Sequence, residues 1–572
     1  MRALPLAQKL LLVSILLNIQ GPLRADEAEP IDFSELTNFL RQNMAPVLPG
    51  GFTLTLARDG AVLYEFTSGG VGPRRAVAAA SASKWYTAAV VLALTDDGAL
   101  SLEDPAGKYL PKFSGEQAQA TIAQMLSHTS GLQGGEACIG TKTLTLGECV
   151  DLMAGTPLQF APGTAFAYGA ASINAAGRIA EIAGGKSWDA LFAEKIAGPL
   201  EITCTTFGGG AEASYPILSG GVVTCAEDYT RFLEMIADRG VYRGRRVLSA
   251  TAVAEMQRPR SVGLRLRESP YSPFFRQEPA LASWSYGAGE WVERRSAAQE
   301  PLEVSSQGAL SFSPWVDLER DLTGVLAAQD GWNAVVPAYL RMKELIRRLV
   351  PAPAVSHIGV KNAASERTTA LAPGLLVSIA GRGLGPEEQV VTETPELPLE
   401  LAGTRVLVDG EPVRLLSVSG GLIRAVMPDE LPEAAVRLEV ERDGARVAAL
   451  TMPVEEAAPA LIRGAVENED GTWNNPLNPA RPGSTITVYG TGAAGAFRPE
   501  FSIGGQAAEV VEAGPALEQS PGIFRVVARV PDDIAPSATA ALELRLGRAR
   551  SQTGVSCAVG EPAAAVFPVV PR

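Results

Sequence analysis

The order of apolar and polar positions divides the chain near residue 351. Ahead of that point, long helical patterns alternate with short strands. A helix is predicted around residues 31–48, followed by alternating runs at 52–57 and 62–67. Arg58-Asp59-Gly60 joins the two runs, and its Asp-Gly step is the signature of a tight hairpin. Residues 88–94 are apolar on every face, which predicts a buried helix. Residues 321–328 read as a strand and 335–350 as an amphipathic helix. Helices at both ends with strands between them predict one α/β (α+β) unit with a mostly antiparallel sheet.

Beyond Pro351-Ala-Pro353 the pattern changes to short β-type runs separated by Gly, Pro and Asp turns. This part repeats itself. Pro373-Gly374-Leu-Leu-Val-Ser-Ile-Ala-Gly381-Arg-Gly383 matches Pro482-Gly483-Ser-Thr-Ile-Thr-Val-Tyr-Gly490-Thr-Gly492, and Ala425-Val-Met-Pro428-Asp-Glu-Leu matches Ala528-Arg-Val-Pro531-Asp-Asp-Ile. Two modules of about seven strands each are expected, 353–457 and 458–572, as tandem all-β sandwiches. They resemble the bacterial Ig-like (IPT-type) repeats of secreted proteins. That resemblance implies a spacer or a surface that binds a polymer or protein, and no catalytic constellation stands in this part.

At the other end, Arg2 and Lys9 precede the apolar run 10–17, then Gly21-Pro22 and the small residue Ala25. A charged start, a short apolar core and a small residue predict a signal peptide over 1–25 and a secreted or periplasmic protein. The run is well short of the ~20 residues of a membrane span, so no transmembrane anchor is expected. Export permits disulfides. Cys138, Cys149, Cys204 and Cys225 fall into two local pairs, candidates for bridges that would each stabilise by roughly 3 kcal/mol. Four buried thiols are the alternative, and Cys557 has no evident partner.

Composition removes several chemistries. The net charge is −14 and no basic cluster offsets it, so no nucleic-acid partner is expected. His128 and His357 are the only histidines, which excludes a His-rich metal site, and no metal or other cofactor is expected. A Ser–His–Asp triad would have to use one of them, and Gly-x-Ser-x-Gly is absent.

What remains is Ser81-x-x-Lys84 at the start of the buried helix, a spacing no other lysine shares with a serine. The two side chains lie one turn apart. A serine hydroxyl needs a neighbour to take its proton, and a desolvated lysine can do so. The helix start also offers backbone N–H groups to an oxyanion.

Further patterns follow in order: Leu126-Ser-His128-Thr-Ser-Gly131, Tyr168-Gly169-Ala170, Gly220-Gly-Val-Val-Thr-Cys225, and Ser306-Gln307-Gly308-Ala309. Together with Ser81-x-x-Lys84 they resemble the serine β-lactamase-type hydrolase family over roughly residues 31–350, so a domain over 26–352 is expected. That family includes class C β-lactamases, penicillin-binding-protein-like DD-peptidases, D-aminopeptidases and esterases. The resemblance implies an antiparallel sheet flanked by helices, with an all-helical part. It assigns Ser81 as nucleophile, Lys84 and Tyr168 as catalytic partners, and the Ser81 and Ala309 amides as the oxyanion hole. It assigns Ala170, Ser306, Gln307 and Gly308 to substrate binding, and gives His128 a packing role. Two positions depart from the family. Ala170 stands where relatives carry asparagine, and Ser306 where many carry a basic residue.

These departures shift the expectation toward an esterase or amidase acting on a small-molecule or cell-envelope acyl substrate. The alternatives are a DD-peptidase, D-aminopeptidase or β-lactamase, and a non-catalytic envelope or surface binding protein that keeps the fold.

Overall fold

The computed structural model describes residues 31–134, 144–207, 217–392, 396–494, 498–517 and 519–561. The signal-peptide segment and Cys138 lie outside the described residues.

The first helix, α1 (Ser34–Phe39), continues as a π-turn over Leu40–Met44. It is shorter than the predicted 31–48 because Asp32 accepts the Ser34 N–H at its start and Pro46 has no N–H to extend it. The hairpin follows as β1 (Gly51–Arg58) and β2 (Ala61–Gly69). Both turn residues have left-handed φ, 50° at Asp59 and 73° at Gly60. Next come the helices α2 (Ser83–Asp96), α3 (Ala171–Gly184) and α4 (Ala226–Ala237). The chain then builds β3 (Ser285–Tyr286), β4 (Trp291–Arg295), β5 (Pro301–Ser305), β6 (Ser313–Asp317) and β7 (Leu322–Ala328), and closes the unit with α5 (Trp332–Leu349).

These strands form one sheet in the order β2-β1-β7-β6-β5-β4-β3, antiparallel throughout. Alternation along β7 explains why both faces are covered. Val325 and Ala327 join the core that holds α2, α3 and α4, while Leu326 and Ala328 join the one under α1 and α5. Helix α2 runs through the first core with every residue from Ser83 to Leu94 buried. Its N-terminus therefore has a fixed position, and that is where Ser81 sits.

The repeat after residue 360 has a structural meaning. Its first motif becomes Leu376–Ala380 and Thr485–Thr491, and its second marks the ends of Leu422–Val426 and Ile523–Arg529. In each module these two strands pair with one another at the centre of a sheet. A second sheet accompanies each, built around Ala434–Arg442 and Ser537–Leu546, and each set closes on its own hydrophobic core. The arrangement is consistent with β-sandwiches. The tail attaches far from Ser81: Ser249 bonds Asp96 at the end of α2, and Glu455 accepts the N–H of the adjacent Ala250. No helix among the described residues is long and apolar enough to cross a membrane.

Candidate active site

Ser81 lies in a single 3-10 turn, Ala80–Ala82, that leads directly into α2. Ala80 has φ 45°, a strained conformation for a residue with a Cβ. The turn is clamped through Ser83, whose hydroxyl donates to the Ala80 carbonyl at 2.6 Å and accepts the Val222 N–H at 2.9 Å. The strain is thus held in place from two sides.

One turn on, Lys84 is 3% exposed, with Nζ 3.1 Å from the Ser81 hydroxyl oxygen. It also donates to the Ser219 carbonyl at 2.7 Å. Among the described residues no carboxylate compensates its charge, and burial pulls the ammonium down to about 7. Near neutrality a large fraction is therefore the free amine. In that state Nζ keeps a proton on Ser219 and offers its lone pair to the Ser81 hydroxyl.

Tyr168 completes this group from another direction. Its ring lies 4.7 Å from Lys84 Nζ and stacks on Trp291 at 5.4 Å. Burial holds its hydroxyl above the usual phenol range, against the opposing effect of the nearby Ser81 hydroxyl. A phenol between two positive charges could ionise. Here, among the described residues, only the Lys84 amine lies over the ring, so Tyr168 stays protonated and can donate. His128 packs behind it at 4.6 Å with its Nδ1 3.2 Å from the Ser172 hydroxyl. Burial first, then Lys84, pushes its imidazole well below the usual range, so it is neutral.

The third side is the end of β5. The Ser306 hydroxyl donates to the Gly289 carbonyl at 3.3 Å and approaches the Ser81 carbonyl at 3.5 Å. Gly308 permits a close backbone approach: a Cβ there would stand 2.1 Å from the Ala79 carbonyl oxygen. This contact sets the loop against the turn that holds Ser81. It brings Ala309 to the same cavity as Ser81, and among the described residues no acceptor takes the backbone N–H of either.

That cavity measures about 440 Å³ and is lined by Ser81, Tyr168, Tyr271, Gln307, Ala309 and Trp332, with Pro270, Gly331, Asn333 and Ala334. No lysine or arginine is among the lining residues. Ala170 is not among them either and stands as the N-cap of α3.

The unit that places this serine beside a buried lysine, at the mouth of a buried helix under an antiparallel sheet, is similar to known proteins. The Beta-lactamase family model matches residues 36–340. The chain belongs to the Beta-lactamase family. Proteins of this fold family are serine hydrolases. Penicillin-binding protein 4 of Amycolatopsis lactamdurans is 29% identical over 309 residues, which is 46% of this chain and 81% of that protein. A crystal structure from Bacteroides dorei DSM 17855, provisionally named a beta-lactamase, is 30% identical with a TM-score of 0.50. It is matched over 99% of its own length and 56% of this chain. Protein flp of Staphylococcus aureus is 28% identical over 135 residues, 22% of this chain and 27% of its own.

Within this β-lactamase-fold unit, several site features have no sequence motif. The Gln307 amide is bonded on both sides: its oxygen accepts the Tyr271 hydroxyl at 2.6 Å, and its nitrogen donates to Glu293 at 2.8 Å and Ser305 at 2.7 Å. These bonds brace the cavity wall that Gln307 lines. Glu293 is in turn held by Lys343 of α5 at 2.6 Å, and Lys343 also reaches Glu303 at 2.5 Å. Tyr271 comes from a loop, and these partners are spread over more than seventy residues, so no local spacing marks them.

Cys204 and Cys225 form a disulfide with Cα atoms 6.1 Å apart. Cys149 is also disulfide-bonded, and Cys557 is free and buried. Asp228 lies beside Cys204 and Cys225, the one such cluster among the described residues. With both sulfurs in the disulfide, it offers a metal only a carboxylate already bonded to the Thr203 and Cys204 N–H groups.

Proposed function

We propose that this β-lactamase-fold serine hydrolase is an exported esterase or amidase acting on uncharged acyl compounds through an acyl-enzyme on Ser81. The observation that carries the reading is the Lys84 amine, buried without a carboxylate and 3.1 Å from the Ser81 oxygen.

In the proposed mechanism the Ser81 oxygen attacks the carbonyl carbon while its proton passes to Lys84 Nζ. The developing oxyanion is received by the Ser81 and Ala309 amides. Tyr168, protonated, relays a proton toward the leaving group, and Lys84 supplies it. Water then attacks the acyl-enzyme by the same path in reverse.

The cavity supports an uncharged substrate. Its lining is mainly aromatic and small side chains, with no lysine or arginine among the lining residues, and Lys343 behind its wall is already held by two glutamates. The Cys204–Cys225 disulfide supports export, since such bonds persist in oxidising compartments. A DD-peptidase or β-lactamase is the second reading, favoured by the penicillin-binding name of the Amycolatopsis relative.

Hydrolysis of p-nitrophenyl butyrate compared with a chromogenic cephalosporin and an acyl-D-Ala-D-Ala peptide separates the two. The ester is expected to turn over at least tenfold faster by kcat/KM. Preference for the carboxylate-bearing substrates would overturn the assignment.

A further inference from the structure

A second cavity, about 220 Å³, lies beside the first and shares its aromatic partition. Trp291 lines it and stacks against Tyr168, which lines the catalytic cavity. The rest of its apolar wall comes chiefly from Phe166, Leu281 and Trp284.

Two observations about this cavity have no explanation within the protein. Arg295 lines it. One terminal nitrogen, Nη2, donates to the Ser283 carbonyl at 2.9 Å, while the other, Nη1, is buried with no acceptor. Among the described residues no carboxylate pairs with this guanidinium, and burial alone lowers it from its usual range. Finally, Val262 and Leu266 line the same cavity yet leave large apolar side chains half-exposed to solvent.

A buried donor without an acceptor is costly, and a charged one more so. A guanidinium with an unpaired terminal N–H at the edge of an apolar cavity matches a carboxylate. The aromatic wall and the exposed Val262 and Leu266 match an apolar body attached to it. We propose that the second cavity binds an organic carboxylate with an aryl or short alkyl body, its carboxylate taken by Arg295 Nη1. The site is separate from the catalytic cavity and does not involve Ser81.

Isothermal titration calorimetry of the full chain with benzoate, and with benzamide as its uncharged counterpart, tests this. Benzoate is expected to bind the wild type and Ser81→Ala alike, with benzamide and Arg295→Gln each weaker by about tenfold, a single charge-assisted contact. Arg295→Lys, which keeps the charge without the planar fork, is expected to fall between. Val262→Asp is an independent variant at an exposed position, where loss of the fold is not an issue. It puts a like charge at the rim and should also weaken benzoate. Equal binding by Arg295→Gln or by benzamide would overturn the proposal, as would the absence of any binding heat. Loss of binding in Ser81→Ala would place the acid in the catalytic cavity and overturn it as well.

Discussion

Glu293 and Lys343 meet at 2.6 Å in the interior of the β-lactamase-fold unit, 7% and 2% exposed, one on β4 and the other on α5. Burying two charges is favourable only where each is paired and bonded further. Here the further bonds lead to the cavity, from Glu293 through Gln307 to the Tyr271 hydroxyl. Glu303 has both Lys343 and Arg347 against it, at 2.5 and 3.0 Å. Burial raises its carboxyl, but these cations outweigh that and leave it below the usual range. Glu293 has Lys343 alone, and burial wins, holding its carboxyl above the usual range.

Removing the shared cation would strand Glu293 and leave Glu303 without its shortest partner. Lys343→Met should destabilise the fold by roughly 3–5 kcal/mol, the cost of breaking a buried pair from one side. Urea unfolding of the catalytic transition measures it. A loss within about 0.5 kcal/mol, the range of an ordinary surface substitution, would show that the pair does not brace the wall.

Activity should follow the ionisation of Lys84. The neutral amine is the competent form, so acylation of Ser81 should rise with pH through about 7 and level off above it. The rate of the acylation burst with p-nitrophenyl butyrate between pH 5.5 and 9 reads this directly. Lys84→Ala should lower that rate by about 10²–10⁴ and remove the inflection.

The two residues of this pair were legible in the sequence because both elements of the signal are local. Ser81 and Lys84 are one turn apart, and the apolar run after them announces a buried helix whose interior desolvates the amine. The hairpin at Asp59-Gly60 and the repeated tail strands were legible for the same reason, since turn chemistry and alternation act over a few residues. Gln307 was placed correctly at the cavity by its motif, but its role was not readable. Whether its amide faces a ligand or Tyr271 depends on a loop thirty-six residues earlier. The role of Gly308 also turns on tertiary contact, because the backbone it must admit is that of Ala79. The Trp291 partition and the Arg295 site depend on the packing of β3 and β4 against a loop without periodicity.

His357 joins the first tail module to the catalytic unit. Its Nδ1 lies 3.2 Å from Asp321, and its Nε2 lies 3.0 Å from the Thr451 carbonyl and 3.7 Å from Asp238. Burial opposes the charge, yet Asp321 and then Asp238 outweigh it and lift the imidazole to about 9. A raised folded value means that this stabilisation is complete below the unfolded value, ~6.5, and is lost as pH rises through about 9. The difference in urea midpoint between wild type and His357→Gln should therefore be largest at pH 6 and shrink toward pH 9.5. A difference independent of pH would contradict the charged bridge.

The central claim is that Ser81 is a nucleophile activated by Lys84. Intact-mass spectrometry after incubation with a fluorophosphonate tests it most directly, on wild type, Ser81→Ala and Lys84→Ala. One adduct on the wild type, absent from Ser81→Ala and formed much more slowly on Lys84→Ala, is the expected result. No adduct on the wild type, or an adduct that persists in Ser81→Ala, would contradict it.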